Sequence, residues 1–138
     1  MRRAILAVIA LSTLVLPAIA RADAADVAQV DGALFFQDYC AACHGVDAMG
    51  MGPMRPALRV PTPDLTLLAE RNGGAFPHFD VIRKIDGRDP LVSHGSDMPV
   101  WGNFFEGEAG AVRTQSGQPI LTTAPIAALV EWLESVQR

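Results

Sequence analysis

The chain has 138 residues, half of them apolar and 19% charged, with no long run of like charge; this describes one compact domain and excludes a multidomain enzyme, a coiled coil and a disordered tail. Eleven basic against fifteen acidic residues give a formal charge of −4, which argues against sequence-independent binding to nucleic acid.

At the start, Arg2 and Arg3 precede an uncharged run from Ala4 to Ala20, and small residues follow in Ala18-Ile19-Ala20 and Ala20-Arg21-Ala22. This is the pattern of a secretory signal peptide over residues 1–22, with the folded domain over 23–138; an uncleaved membrane anchor is the alternative. Pro17 sits near the end of the run, where it suits a cleavage region better than a continuous span. Cleavage after Ala22 takes away three arginines and no acid, so eight basic and fifteen acidic residues remain and the formal charge becomes −7. The expectation is a periplasmic protein, without a membrane span once cleaved, whose partners carry basic docking surfaces. Lys84 is its sole lysine, so it has no lysine-ringed face of its own.

Asp31 is a good N-cap, and Gly32, Phe36, Cys40 and Cys43 then recur at helical spacing, which predicts an amphipathic first helix closed by Cys40-Ala41-Ala42-Cys43-His44. Two cysteines in an exported chain first suggest a disulfide, but Cys-x-x-Cys-His is the motif of c-type haem attachment. Residues three and four apart share a helix face, so two thiols can reach the two vinyl groups of one porphyrin while an imidazole lies beneath the iron. Cys40 and Cys43 are thus the expected thioether sites and His44 the expected proximal iron ligand. A thioredoxin-like motif would stand at a strand-to-helix turn, and a zinc site would need more soft ligands than these cysteines with the scattered His78 and His94.

Three glycines and four prolines between Gly45 and Pro63 read as a long ordered loop. Thr62-Pro63 is expected to open a short helix with Leu65 and Leu68 facing inward, ended by Asn72-Gly73-Gly74. The next helix starts near Pro77, buries Val81, Ile82 and Ile85, and stops at Gly87; His78 is expected on the surface of its first turn. From Arg88 to Thr123 periodicity is weak and the reading is loop, with Ser116-Gly117 as a candidate hairpin turn between Val112 and Ile120. Ile126, Leu129, Val130 and Leu133 define the last helix, after Thr123 as cap and Pro125 in its first turn.

Together these positions resemble a class I c-type cytochrome over nearly all of residues 23–138. That family carries a glycine and an aromatic eight and four residues before the first cysteine, where Gly32 and Phe36 stand, and packs them on a last helix with an aliphatic and an aromatic three apart, matched by Leu129 and Trp132. A proline twelve residues after the histidine commonly offers its carbonyl to the second imidazole nitrogen, and Pro56 stands there. Met98, in Ser96-Asp97-Met98-Pro99, resembles the late Met-Pro loop that supplies the sixth iron ligand, with His94 as the competitor. Met49 is too close, since five residues span only ~17 Å at full extension; Met51 and Met54 belong to the loop that passes beneath the proximal ligand. Trp101, Arg55 and Arg59 are candidates to hold the haem propionates, with Trp101 as core and the arginines as solvated residues the alternative.

The resemblance implies an all-α fold, about four short helices and long loops wrapped around one covalent haem c, and a monomeric one-electron carrier that is not an enzyme. Two alternatives stay open: an accessory subunit of a dehydrogenase or terminal oxidase, for which the long segment 102–123 offers surface, and a haem enzyme or gas-binding protein with an open sixth position.

Overall fold

The computed structural model describes residues 30–87, 98–99 and 101–138. The signal-peptide reading and His94 therefore lie outside the described residues. In chain order the helices are α1 (Gly32–Tyr39), α2 (Ala41–His44), α3 (Leu68–Arg71), α4 (His78–Asp86) and α5 (Ala124–Ser135), with 3-10 turns at Arg55–Ala57 and Leu65–Leu67 and strands β1 (Ala109–Arg113) and β2 (Pro119–Thr123).

α1 begins where the Asp31 carboxylate accepts from the amides of Ala33 at 2.9 Å and Leu34 at 3.3 Å, satisfying two of the donors a helix start leaves open. It is crossed by α5 at Gly32. A Cβ there would strike the Ala128 carbonyl oxygen and lie 2.6 Å from its carbon and 2.9 Å from Trp132 Cβ, so only glycine allows the two backbones to come this close. One turn on, the Phe36 and Trp132 rings meet at 4.4 Å between centroids, and Phe36 and Leu129 are fully buried. α5 supplies most of the core through Ile126, Ala127, Leu129, Val130 and Leu133, and α4 adds Val81, Ile82 and Ile85 before Gly87 ends it at φ 62°. This is the last-helix packing expected from the spacing.

The helix predicted to run through the cysteines is broken. α1 stops at Tyr39, Cys40 adopts φ −118° and ψ −33°, and the motif winds into its own turn, α2. The short helix after Pro63 begins later than Thr62: Asp64 is the cap, its carboxylate accepting from the Thr66 amide at 2.9 Å and the Thr66 hydroxyl at 2.6 Å. An aspartate at the cap position outcompetes a Thr-Pro start because its carboxylate serves two donors at once. Thr123 does cap α5 by position, though its side chain makes no capping bond.

Val112 and Ile120 face each other directly in the antiparallel hairpin, whose turn carries Gly117 at φ 82°. Val112 is fully buried and Ile120 packs on the same core, so the 102–123 segment is partly structural and not mere padding. The outward side of the hairpin is left with Ala111 and Leu121 exposed.

His78 departs from expectation. It is 4% exposed rather than on the surface, and its Nε2 lies 2.9 Å from Glu134 Oε2, tying α4 to α5. Glu134 comes from a helix 56 residues later, so the first-turn position alone gave no hint of burial.

Candidate functional site

Cys40, Cys43 and His44 occupy one turn. Cys40 accepts from the amides of Cys43 at 3.1 Å and His44 at 2.9 Å through its carbonyl, which draws the second thiol and the imidazole onto the same short helix. The two cysteines are not joined in a disulfide. Among the described residues no group of three or more His, Cys, Asp and Glu is placed to hold a metal ion by itself.

The loop after the motif folds back onto it. A helix of one turn leaves its carbonyls without partners, and here Gly52 donates to Cys43 at 3.2 Å, Met54 to Ala42 at 2.9 Å and Gly50 to His44 at 2.7 Å. Gly52 permits this approach, since a Cβ at that position would sit 2.6 Å from the Cys43 carbonyl carbon. The next layer is added by the Leu65 amide, which donates to the Ala48 carbonyl at 2.8 Å. The segment 62–65 is thereby laid against Ala48 and Gly50 of the loop. In this loop Met51, Met54, Leu58 and Val60 are exposed, 64% in the case of Met51.

Electrostatics separate the two thiols' reading from a redox dithiol. Burial, and secondarily Cys43 beside it, push the Cys40 thiol up to about 11, whereas a disulfide-exchanging cysteine needs a depressed value to form thiolate. Burial also lowers the pKa of His44 and favours the neutral imidazole that an iron ligand must be, partly opposed by the backbone carbonyl of Pro63.

His44 Nδ1 is buried and has no hydrogen-bond partner within geometric reach. This corrects the expectation for Pro56. That residue lies exposed in the Arg55–Ala57 turn and makes no bond to the imidazole. Spacing of a proline from the histidine does not say how the intervening loop folds; here four hydrogen bonds layer residues 42–65 and leave Pro56 away from the ring.

Met98 is half-buried and packs, like Cys40 and Trp101, against the main core. Trp101 donates its backbone N–H to Ile85 at 3.0 Å and stacks on Phe105 at 5.4 Å between centroids, within a cluster that includes Tyr39 and Phe104. Phe105 and Phe76 are core, while Phe79 and Phe104 are more than half exposed. Arg55 and Arg59 are exposed on the loop. The open grooves beside Gly32 and beside His78 lie away from Cys40–His44 and contribute nothing to it.

Two unpaired thiols and a histidine on one turn, an imidazole nitrogen that is buried and lacks a partner among the described residues, and exposed apolar side chains in the loop that follows together suit a covalently held haem. The chain belongs to the cytochrome c family, which it matches over residues 29–137. No curated protein and no solved structure matches it. It is accordingly a haem-binding electron-transfer protein, whose cofactor is haem c with its iron, and whose family consists typically of electron carriers rather than enzymes.

Proposed function

We propose that this protein is a periplasmic one-electron carrier with a single haem, attached through Cys40 and Cys43 and ligated by His44 and Met98. The observation that carries the reading is the setting of His44: a buried imidazole on the cysteine turn, its pKa lowered by burial and its Nδ1 without a bond among the described residues. The bound haem supplies the one-electron iron couple. The chain's residues hold and tune it. Nδ1, buried on the protein side, keeps the proton and leaves Nε2 as the nitrogen available to iron. The carbonyls of α2 are occupied by the Gly50, Gly52 and Met54 amides, so the turn bearing the thiols is fixed from behind. Met98 offers a thioether from a half-buried position, and the stiff Pro99 follows it.

Were His44 and Met98 both to hold the iron, no position on it would be left for substrate, which favours electron transfer over catalysis. The leader over residues 1–22 supports export, and the −7 charge of residues 23–138 supports partners with basic docking surfaces and a freely diffusing monomer. The test is Met98→Ala: the ferric protein should lose its weak near-infrared thioether band and bind small ligands such as cyanide rapidly, and His94→Ala should leave the band intact. An unchanged spectrum in Met98→Ala with a changed one in His94→Ala would overturn the ligand assignment.

A further inference from the structure

Five aromatic rings from α1 and the turn after Met98 form one continuous cluster that opens at the surface. Phe35 and Tyr39, one helical turn apart, lie 5.4 Å from each other between ring centroids and meet Phe105 at 5.4 and 5.3 Å. Trp101 stacks on Phe105 at 5.4 Å, and Phe104 completes the group at 5.2 Å from Tyr39, 5.3 Å from Phe105 and 5.6 Å from Trp101. Phe105 is the buried base, whereas Phe104 is 60% exposed and Tyr39 36%. The backbone beneath holds these rings in place. Trp101 and Gly102 donate their amides to the Ile85 and Asp86 carbonyls at 3.0 and 2.9 Å, and Phe104 and Phe105 donate to the Trp101 carbonyl at 2.9 and 2.8 Å. An exposed ring fixed on such a base loses little freedom when it is covered, which is the condition under which aromatic residues anchor an interface.

The residues that flank the rings in the chain are acidic. Asp38 directly precedes Tyr39, Glu106 directly follows Phe105, and both are exposed. Neither of the segments that build the cluster, 30–44 and 101–112, contains a lysine or an arginine. Position adds a third observation: one peptide bond joins Tyr39 to Cys40, so a surface that covers Tyr39 comes within a residue of the first thioether site.

We propose that Phe104 and Tyr39 anchor a docking surface for a redox protein whose own face is apolar at its centre and edged with arginine or lysine. The inference rests on haem attachment at Cys40, and it gives the basic partners of the proposed carrier a place to bind. The rings supply the short-range contact, in which a partner's apolar side chains cover Phe104 and Tyr39 and expel water from them. Asp38 and Glu106 supply attraction at longer range and fix the orientation in which the two proteins meet.

The experiment is voltammetry of the purified holoprotein at gold electrodes coated with a monolayer of mixed methyl- and ammonium-ended alkanethiols, a surface that is apolar and cationic like the partner face. It reads the rate of electron exchange and the midpoint potential. Phe104→Ser, at an exposed position that leaves the fold intact, should slow the exchange about tenfold, the loss of one interface anchor, and Phe104→Leu should fall between it and wild type. Asp38→Asn combined with Glu106→Gln should flatten the decline of the rate with rising salt. Leu121→Ser, which removes an 82% exposed leucine from the hairpin, should behave as wild type. An unchanged rate in Phe104→Ser would overturn the proposal, and so would equal slowing in Leu121→Ser, which would mean that any exposed apolar side chain serves. A shifted midpoint potential in Phe104→Ser would assign the rings to the wall of the haem and refute docking. A wild-type dimer in sedimentation that Phe104→Ser dissociates would make a second copy of this chain the occupant, and would equally overturn the redox partner. If wild-type haem leaves the chain on denaturation, the reading of covalent attachment fails first, and the proposal with it.

Discussion

Replacing Gly32 by alanine tests the crossing on which the fold depends. The added methyl would sit 2.6 Å from the Ala128 carbonyl carbon and 2.9 Å from Trp132 Cβ, and it would also strike the Ala128 oxygen. Carbon atoms rest comfortably at about 3.5–4.0 Å, so α1 and α5 must part by about 1 Å. The obstacle is helix backbone, which cannot swing aside as the end of a side chain can. Overpacking of this kind costs about 1–3 kcal/mol, and a backbone obstacle belongs near the top of that range. Parting the helices also weakens the contact of the Phe36 and Trp132 rings, now 4.4 Å apart, a pair worth about 0.5–1.5 kcal/mol beyond its buried area. Against this, alanine lowers the entropy of the unfolded chain by about 0.4–1 kcal/mol. The net expectation is a loss of about 2–3 kcal/mol, or about 8–12 °C in the thermal midpoint of a domain this size. Thermal and guanidinium unfolding of the holoprotein, followed by far-ultraviolet circular dichroism and the haem absorbance, would measure it. A variant as stable as wild type, or more so, would refute the close crossing.

Three further outcomes follow from particular residues. Cys40→Ala with Cys43→Ala should give a largely unfolded chain, because loops such as Gly45–Pro63 lose the surface they line while their ordering cost of about 1–2 kcal/mol per residue stays; native-like dichroism and amide protection in that double variant would show that the core stands alone. Asp64 has its carboxyl held below the usual range by the Thr66 hydroxyl first and by Arg138 and Arg71 further out, so its contribution to stability is complete above the unfolded value near ~3.9 and is lost as pH falls through the lower folded value; Asp64→Asn should flatten that acid limb in pH-dependent melts, and an unaltered limb would count against the network. Mass spectrometry of the exported protein should find an N-terminus at or close to Asp23, and an intact leader on membrane-bound holoprotein would replace the soluble carrier with an anchored one.

Much of this protein was readable one element at a time, because those features are settled by neighbours in sequence. Asp31 caps α1 through amides two and three residues on, Gly87 ends α4, and Ser116-Gly117 turns a hairpin that pairs Val112 with Ile120. The Cys40-Ala41-Ala42-Cys43-His44 run is legible for the same reason: its chemistry requires the three functional groups within one turn, so the spacing is the site. Gly32 and Trp132 were recognisable as a matched pair through their resemblance to family positions, and the backbone contact between α1 and α5 gave that pattern its physical cause.

What escaped the sequence, the contact of α1 with the last helix apart, was the partnerships between distant segments. The helix breaks at Cys40, where tertiary packing overrides a continuous apolar stripe. His78 is buried because Glu134 reaches it from another helix, and nothing around His78 announces that partner. Pro56 lies exposed and makes no bond to the imidazole, since the loop's amides are spent on the carbonyls of α2 and the path of the chain is fixed by that folding back, not by counting residues. Gln137 and Arg138 look like an ordinary solvated tail until Asp64, Leu65, Thr66 and Ala69 are brought against them. Periodicity and capping depend on residues within a turn or two and can be read directly; a hydrogen bond across 70 residues exists only after the core has chosen which surfaces meet.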